Sequence, residues 1–342
     1  MGAILAAGPA RAETGRGLFV TQLQEPRVLS SREAVTGLVD FAKKSGLRTL
    51  YVQIYRGGVL ETGELDFLIR SAHGAGIEVH AWLNLLSLSA NTGAPILKKY
   101  GPDVLARNRE PKAALSDYRV DNQYFLEPGD PRVVTELAAV VEEVVRGYPG
   151  LDGLLFDYVR YCDKNPDYGY SETNVERFKK ATRHPAAGKD DIAWKNWKRR
   201  QVTELLKTLR QRARRSERGI PISVTGLMPF ARAYHEGFQD WRHWQEKGLV
   251  DGVIAMCYTL EEDRFGRFLK DAREKAWDWP RVSVGVGAYA LLDKPEVFTR
   301  QWEACEASGA RSCVALHYGS LLERDFSEAG FQSSNASPSA DA

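Results

Sequence analysis

The sequence predicts a single-domain α/β fold, an eight-stranded (β/α)₈ TIM barrel. Three observations predict it. Short β-rich runs alternate with helical stretches from one end of the chain to the other, a pattern that implies a parallel sheet. There are eight such runs, and eight parallel repeats close naturally into a barrel. No G-x-G-x-x-G phosphate turn follows the first of them, which argues against the alternative, an open doubly wound sheet. The length, 342 residues, suits one barrel with long loops.

The elements run in order. GLFVTQL (17–23) is the first strand, and Ser30 and Ser31 offer an N-cap for a helix through Lys44, stopped by Gly46. RTLYVQIYR (48–56) is the second strand, followed by a helix from Leu65 to Ala75. IEVHAWLN (77–84) is the third. Leu85 to Asp130 forms a long connection rich in proline and without sustained period, and loops of that length are usually functional. Pro131 opens a helix to Arg146. LDGLLFDYVRY (151–161) is the fourth strand and its exit, and a second long excursion leads to a helix over Trp194–Arg215. PISVTGL (221–227), VDGVIAMCY (250–258), RVSVGVGAY (281–289) and SCVALHYG (312–319) are strands five to eight, separated by helices near Gln239–Lys247, Arg264–Trp277 and Glu296–Ser308. Asp152 and Asp251 each precede a glycine where the chain enters a strand, and read as turn signals at the barrel bottom.

Composition narrows the function classes. Apolar residues are 43% and charged residues 27% of the chain, which is globular rather than disordered. A net charge of +2 gives no global pull towards nucleic acid or anionic lipid. The basic run from Lys195 to Arg218 carries Trp194, Trp197, Leu205, Leu206 and Leu209 at helical spacing, so it is the solvated face of an amphipathic helix, not a nucleic-acid patch. No stretch approaches a membrane span. The start, MGAILAAGPARA, ends like an A-x-A cleavage site. Residues 1–15 are therefore read as a signal-peptide remnant or flexible N-terminus, with export to the periplasm or outside the cell. The barrel is assigned to 16–328 and a disordered polar tail to 329–342. Cys162, Cys257, Cys305 and Cys313 show no C-x-x-C spacing and are expected to be free buried thiols, with a Cys305–Cys313 link across a helix-to-strand turn as the alternative.

In a TIM barrel the chemistry sits at the C-terminal strand ends. The sequence places Gln22 and Gln24 there from strand one, and Gln53, Tyr55 and Arg56 from strand two. Strand three brings His80, Trp82 and Asn84, and strand four Asp157, Tyr158, Arg160 and Tyr161. Thr225 and Met228 come from strand five, and Met256, Tyr258, Glu261 and Glu262 from strand six. Tyr289 and Asp293 follow strand seven, and His317 and Tyr318 strand eight. Asp157 stands out because it ends the apolar run Leu154-Leu155-Phe156, and strand period two sets Gly153, Leu155 and Asp157 on one face. A carboxylate at the top of a buried strand needs a partner or a function, and Arg160 or Arg56 could pair with it. Glycosidic hydrolysis uses two carboxyl groups. Glu261 and Glu262 are the first candidates for the second, with Asp293, Asp163 and Asp167 as the others; a solvated loop residue or a helix N-terminal charge is the plainer reading of each glutamate. His80 reads as a core histidine or a site group, and Trp82 as core or stacking platform. No H-x-H or H-E-x-x-H pattern is present, so neither a metal nor another cofactor is expected.

Several stretches, in order, resemble the glycosyl-hydrolase-like 10 family of bacterial glycosidase-like proteins. They are RGLFVTQL, LRTLYVQIYR, AHGAGIEVHAWLN, YFLEPGDPRV, LDGLLFDYVRY, the W-x-x-W-x-R-x-Q-V helix start, ISVTGLMPF and DWRHWQEKGLVDGVIAMCYT. The resemblance implies a TIM barrel, an exported bacterial protein and hydrolysis of a cell-wall or amino-sugar glycan. It puts the family's strand-four aspartate on Asp157, a segment also similar to the strand-four nucleophile region of α-amylase-like barrels. Where the family often has two consecutive acids, this chain has Asp157-Tyr158. Where strand six commonly reads Pro-Gln-x-Tyr, it has Ala-Met-Cys-Tyr, matching only at Tyr258. The expected site is Asp157 as nucleophile, or as the group that orients a substrate 2-acetamido arm, with Glu261 or Glu262 as acid. Tyr55, Arg56, His80, Trp82, Asn84, Tyr158, Arg160, Tyr258, Tyr289 and His317 bind the polysaccharide or oligosaccharide. A carbohydrate-binding barrel without catalysis is the second expectation.

Overall fold

A computed structural model describes residues 14–23, 27–110, 114–165, 167–184, 188, 190–215 and 219–331. Its centre is a closed ring of eight parallel strands: β1 (Gly15–Val20), β2 (Thr49–Arg56), β3 (Glu78–Asn84), β4 (Gly153–Asp157), β5 (Ile222–Gly226), β6 (Gly252–Met256), β7 (Val282–Val286) and β8 (Ser312–Leu316). Each strand pairs with the next, and β8 pairs with β1 to close the ring. A two-residue strand, Val59–Leu60, turns back antiparallel on the end of β2.

Eleven α-helices occur among the described residues: α1 (Arg32–Lys44), α2 (Leu65–Gly74), α3 (Pro95–Tyr100), α4 (Pro131–Gly147), α5 (Glu172–Thr182), α6 (Ile192–Ala213), α7 (Phe230–His235), α8 (Trp241–Glu246), α9 (Glu262–Lys275), α10 (Pro295–Ala307) and α11 (Tyr318–Glu323). Local chemistry sets their starts. Ser31 caps α1 by accepting from the Ala34 N–H, and Asp130 caps α4 from the Arg132 N–H with Pro131 at the first helical position. None of the helices searched is long and apolar enough to cross a membrane.

Two apolar layers hold the ring. Phe19, Tyr51, Trp82, Leu155, Ile254 and Val314 fill the barrel interior. The alternate strand faces pack outward on the helices, with Leu154, Phe156 and Val224 among the fully buried residues. Asp152 and Asp251 brace the strand starts: their carboxylates accept from the N–H groups of Val79 and Ile222 on the preceding strands.

Residues 1–13, most of the expected leader, lie outside the described residues, as do Gln24 and the tail from 332 onward. Residues 329–331 are part of the body rather than the tail. Phe331 is buried against Trp302 and Phe298, with the Arg16 guanidinium 4.9 Å from its ring centre. Cys305 and Cys313 form a disulfide, which corrects the expectation of free thiols; Cys162 and Cys257 are buried thiols. The turn after α10 carries β8 back along the helix and brings the two Cα atoms to 6.0 Å, within disulfide range. Cys305→Ser is expected to cost about 2 kcal/mol, read as a lower denaturation midpoint with an unchanged slope.

Candidate functional site

At the C-terminal ends of the strands lies a cavity of about 640 Å³. Asp157 lies in its wall as the last residue of β4, side by side with Asn84 at the end of β3. Strand parity explains the direction: Leu155 fills the barrel interior, and Asp157, two residues on, rises from the same face into the mouth. Three neutral donors hold the carboxylate. Trp82 Nε1 donates to Oδ2 at 3.1 Å, while Thr225 Oγ1 (2.5 Å) and the Tyr158 backbone N–H (2.7 Å) both donate to Oδ1. The Tyr158 bond depends on a left-handed backbone (φ 54°), which a tyrosine adopts only against steric cost. The sharp turn aims the N–H back at Asp157 and sets the Tyr158 ring in the cavity wall.

Aromatic and cationic groups complete the walls. Tyr258 and Tyr289 meet edge to face, with ring centres 6.0 Å apart. Burial, reinforced by the charge of Asp157, raises the Tyr258 phenol well above its usual range, so it is a neutral hydrogen-bonding group. Strand β7 makes room for it: a Cβ on Gly285 would lie 3.0 Å from Tyr258 Cε1. Burial lowers the His317 imidazole, which therefore stays uncharged near neutral pH. Arg56 lines the cavity with no acid bonded to it among the described residues; burial lowers its guanidinium, against the opposing influence of Tyr158 and Asp157. Asp157 is thus bonded to neutral groups rather than to either expected arginine; Arg160 is engaged by Asp163. Among the described residues no three His, Cys, Asp or Glu side chains gather as a metal site.

Arg56, Trp82, Asn84, Asp157, Tyr158, Arg160, Thr225, Met228, Met256, Tyr258, Glu261, Tyr289 and His317 all meet at this cavity. The rest of the sequence's strand-end set lies elsewhere. His80 is at the opposite end of the barrel, paired with Gly153 at the very start of β4 and facing Tyr51. It shares a small cavity with Ser223, Ser283 and Ser312 from the strand starts. Strand β3 is seven residues long, so its third residue is still at the bottom. Tyr55 faces outward into the main core, because a bulge between Gln53 and Tyr55 reverses the parity of β2 and sends Arg56 inward instead. Glu262 is exposed in the first turn of α9 and ion-paired to Arg300 at 2.7 Å, outside the cavity lining; Glu261, just before the helix, is exposed on the rim. Asp293 reaches out to Arg324, Tyr318 packs on Phe41, and Tyr161 is buried against Glu127. Gln22 and Gln53 border a separate small cavity. Arg232 and Arg264 line the site unforeseen. They sit on helices that follow β5 and β6, and residue type at a strand end gives no signal for them.

A closed ring of eight parallel strands surrounded by helices makes the protein a (β/α)₈ TIM barrel. It is similar to the solved PgaB (BpsB) glycoside hydrolase domain of Bordetella bronchiseptica, with a TM-score of 0.71 and 17% identity over 92% of this chain and 97% of that one. The β-galactosidase of Bacillus circulans sp. alkalophilus follows at TM-score 0.63 and 14% identity, over 89% and 50% of the two chains. The chain belongs to the glycosyl hydrolase-like 10 family, whose model matches residues 39–294. Its relatives include the glycosyl hydrolase DigH of Escherichia coli (strain K12), 23% identical over 317 residues covering 79% of this chain and 69% of that protein. The glycosyl hydrolase YngK of Bacillus subtilis (strain 168) is 26% identical over 57% of this chain and 38% of that protein.

Proposed function

We propose that the protein hydrolyses O-glycosidic bonds of a bacterial polysaccharide, a cell-wall or amino-sugar glycan, with Asp157 as the central carboxylate. The observation that carries this reading is an aspartate held by three neutral donors in the wall of a sugar-sized, aromatic cavity. A carboxylate so placed suits a nucleophile, or a group that orients a 2-acetamido arm as the oxocarbenium-like transition state forms. Glu261 is the other carboxylate lining the cavity among the described residues, and is assigned the proton-donor role; Glu262, tied to Arg300, is not. Trp82, Tyr158, Tyr258 and Tyr289 offer faces for sugar rings, while Asn84, Arg56, Arg160 and His317 supply hydrogen bonds.

The exposure of Glu261 favours a second reading, a barrel that binds glycan without cleaving it. Incubation with peptide-free peptidoglycan strands and with poly-N-acetylglucosamine, read by mass spectrometry, separates the two. Release of shorter oligosaccharides supports hydrolysis; retention of intact glycan by the protein leaves only the binding barrel. Gly285→Ala, which pushes on the Tyr258 ring, is expected to weaken glycan binding about tenfold, or ~1.4 kcal/mol, without loss of fold. Equal affinity in a titration would remove Tyr258 from the binding wall. We also propose that the protein is exported. The Cys305–Cys313 disulfide supports this, because such bonds persist in oxidising compartments.

A further inference from the structure

We propose that the cavity contains a receptor for an acidic substituent on the glycan, a carboxylate, built from Arg160 and Arg232 around Asp163. The proposal rests on the glycan reading and narrows its substrate class. Asp163 lies in the loop after β4 and is buried. Arg160 Nη1 donates to its Oδ1 at 2.5 Å, and Arg232 Nη2, from α7, donates to its Oδ2. Burial works against ionisation, yet the two guanidinium groups hold the Asp163 carboxyl below its ordinary range. One carboxylate thus faces two arginines, both of which line the cavity.

The excess charge is positioned rather than loose. Arg160 is only 8% exposed and lies 4.5 Å from the centre of the Tyr158 ring. Its other hydrogen bond goes to the Tyr161 carbonyl. Arg232 uses only Nη2, which leaves Nε and Nη1 without a hydrogen-bond partner among the described residues. Arg56, Arg160, Arg232 and Arg264 line the cavity against Asp157 and Glu261, and with the buried Asp163 that pairs Arg160 and Arg232 counted as well, one positive charge remains in excess. A neutral glycan covering this wall would desolvate that charge without offsetting it, at a cost in affinity. A carboxylate supplies the missing charge, and its two oxygens match the planar fork of arginine. Asp163 holds the two arginines in place before the ligand arrives, so little ordering remains to be done on binding.

The test is a titration of the full chain with three probes. They are hyaluronan hexasaccharide, which carries carboxylates, the same hexasaccharide with its carboxyl groups reduced to alcohols, and chitohexaose. The expected result is that the acidic hexasaccharide binds at least about tenfold more tightly than its reduced form, as for gaining a charge-assisted hydrogen bond. The preference should shrink as sodium chloride is raised. It should collapse in Arg232→Gln and be partly kept in Arg232→Lys, which retains the charge but loses the fork. The salt series needs no variant, so a misfolded Arg232→Gln would not obscure the answer. Equal binding of acidic and reduced forms, or tighter binding of chitohexaose, overturns the receptor and leaves the glycan reading intact. An acidic preference unchanged in both Arg232 variants overturns it as well. Failure of all three probes to bind overturns the receptor, while the glycan reading falls separately, if peptidoglycan strands and poly-N-acetylglucosamine are neither bound nor cleaved.

Discussion

Asp157→Asn is expected to lower the rate of glycan cleavage at least about a thousandfold, a loss of ~4 kcal/mol of transition-state stabilisation. The substitution keeps the shape of the side chain and removes its charge. In the wild type, Trp82, Thr225 and the Tyr158 N–H all donate to Asp157, so the group must be an acceptor on both oxygens. Asparagine offers one acceptor oxygen and an amide that is itself a donor. At least one of the three contacts is lost in either orientation, at a local cost of about 1–3 kcal/mol for each. The barrel should survive this, and unfolding curves of the variant are the control. The measurement is oligosaccharide release by wild type and variant at equal concentration. Equal release would refute a catalytic role for Asp157, while binding without release in both proteins would leave the non-catalytic barrel.

The second large effect concerns stability rather than chemistry. Glu127 is fully buried at the end of the long loop before α4. Tyr161 Oη donates to its Oε1 at 2.5 Å, and the Gly129 N–H donates at 3.2 Å. Burial pushes its carboxyl up to about 7, against the pull of Tyr161, the Gly129 N–H and the Lys198 ammonium. The folded protein therefore keeps a proton that the unfolded chain, with an ordinary carboxyl near ~4.3, has already released. Stability from this group is fully present below that value and is lost as pH rises through about 7. The total is on the order of 3 kcal/mol. Glu127→Gln keeps a neutral group of the same size. The wild type should therefore lose stability relative to the variant between about pH 5 and pH 7 in parallel denaturant titrations. A constant difference between the two proteins across that window would show that Glu127 is charged throughout.

Lys198 acts with the opposite sign. It is buried over the Phe238 ring at 3.8 Å and bonded to the Tyr168 carbonyl, and burial lowers its ammonium to about 7, opposed by Glu127 and Asp167. Its contribution is lost as pH falls through that value, so it lies on the alkaline side of the Glu127 window. Together these residues tie the exit of β4 to α5 and α6, since Asn174 bonds both Tyr161 and the Gly169 carbonyl. That exit carries Tyr158 and Arg160 into the cavity.

What the sequence determined by itself was the architecture and the position of Asp157 in the mouth of the barrel. Eight apolar runs separated by amphipathic helices leave few ways to bury every strand on both faces, so the closed barrel follows from pattern alone. A period of two, counted back from Asp157 to Leu155, was enough to aim one carboxylate into the mouth. Tertiary structure alone decided the surroundings. His80 and Trp82 share a face of β3, but only the ladder shows that His80 starts at the level of Gly153, at the far end of the barrel. A single bulged residue in β2 exchanged Tyr55 for Arg56 at the cavity, and local sequence carries no signal for a bulge that arises from pairing with β3. The Cys305–Cys313 bond and the Arg160–Asp163–Arg232 cluster likewise depend on how distant or turning segments meet. Periodicity is a property of one element and can be read along the chain; register, bulges and charge pairing are properties of two elements in contact, and they exist only once the chain has folded.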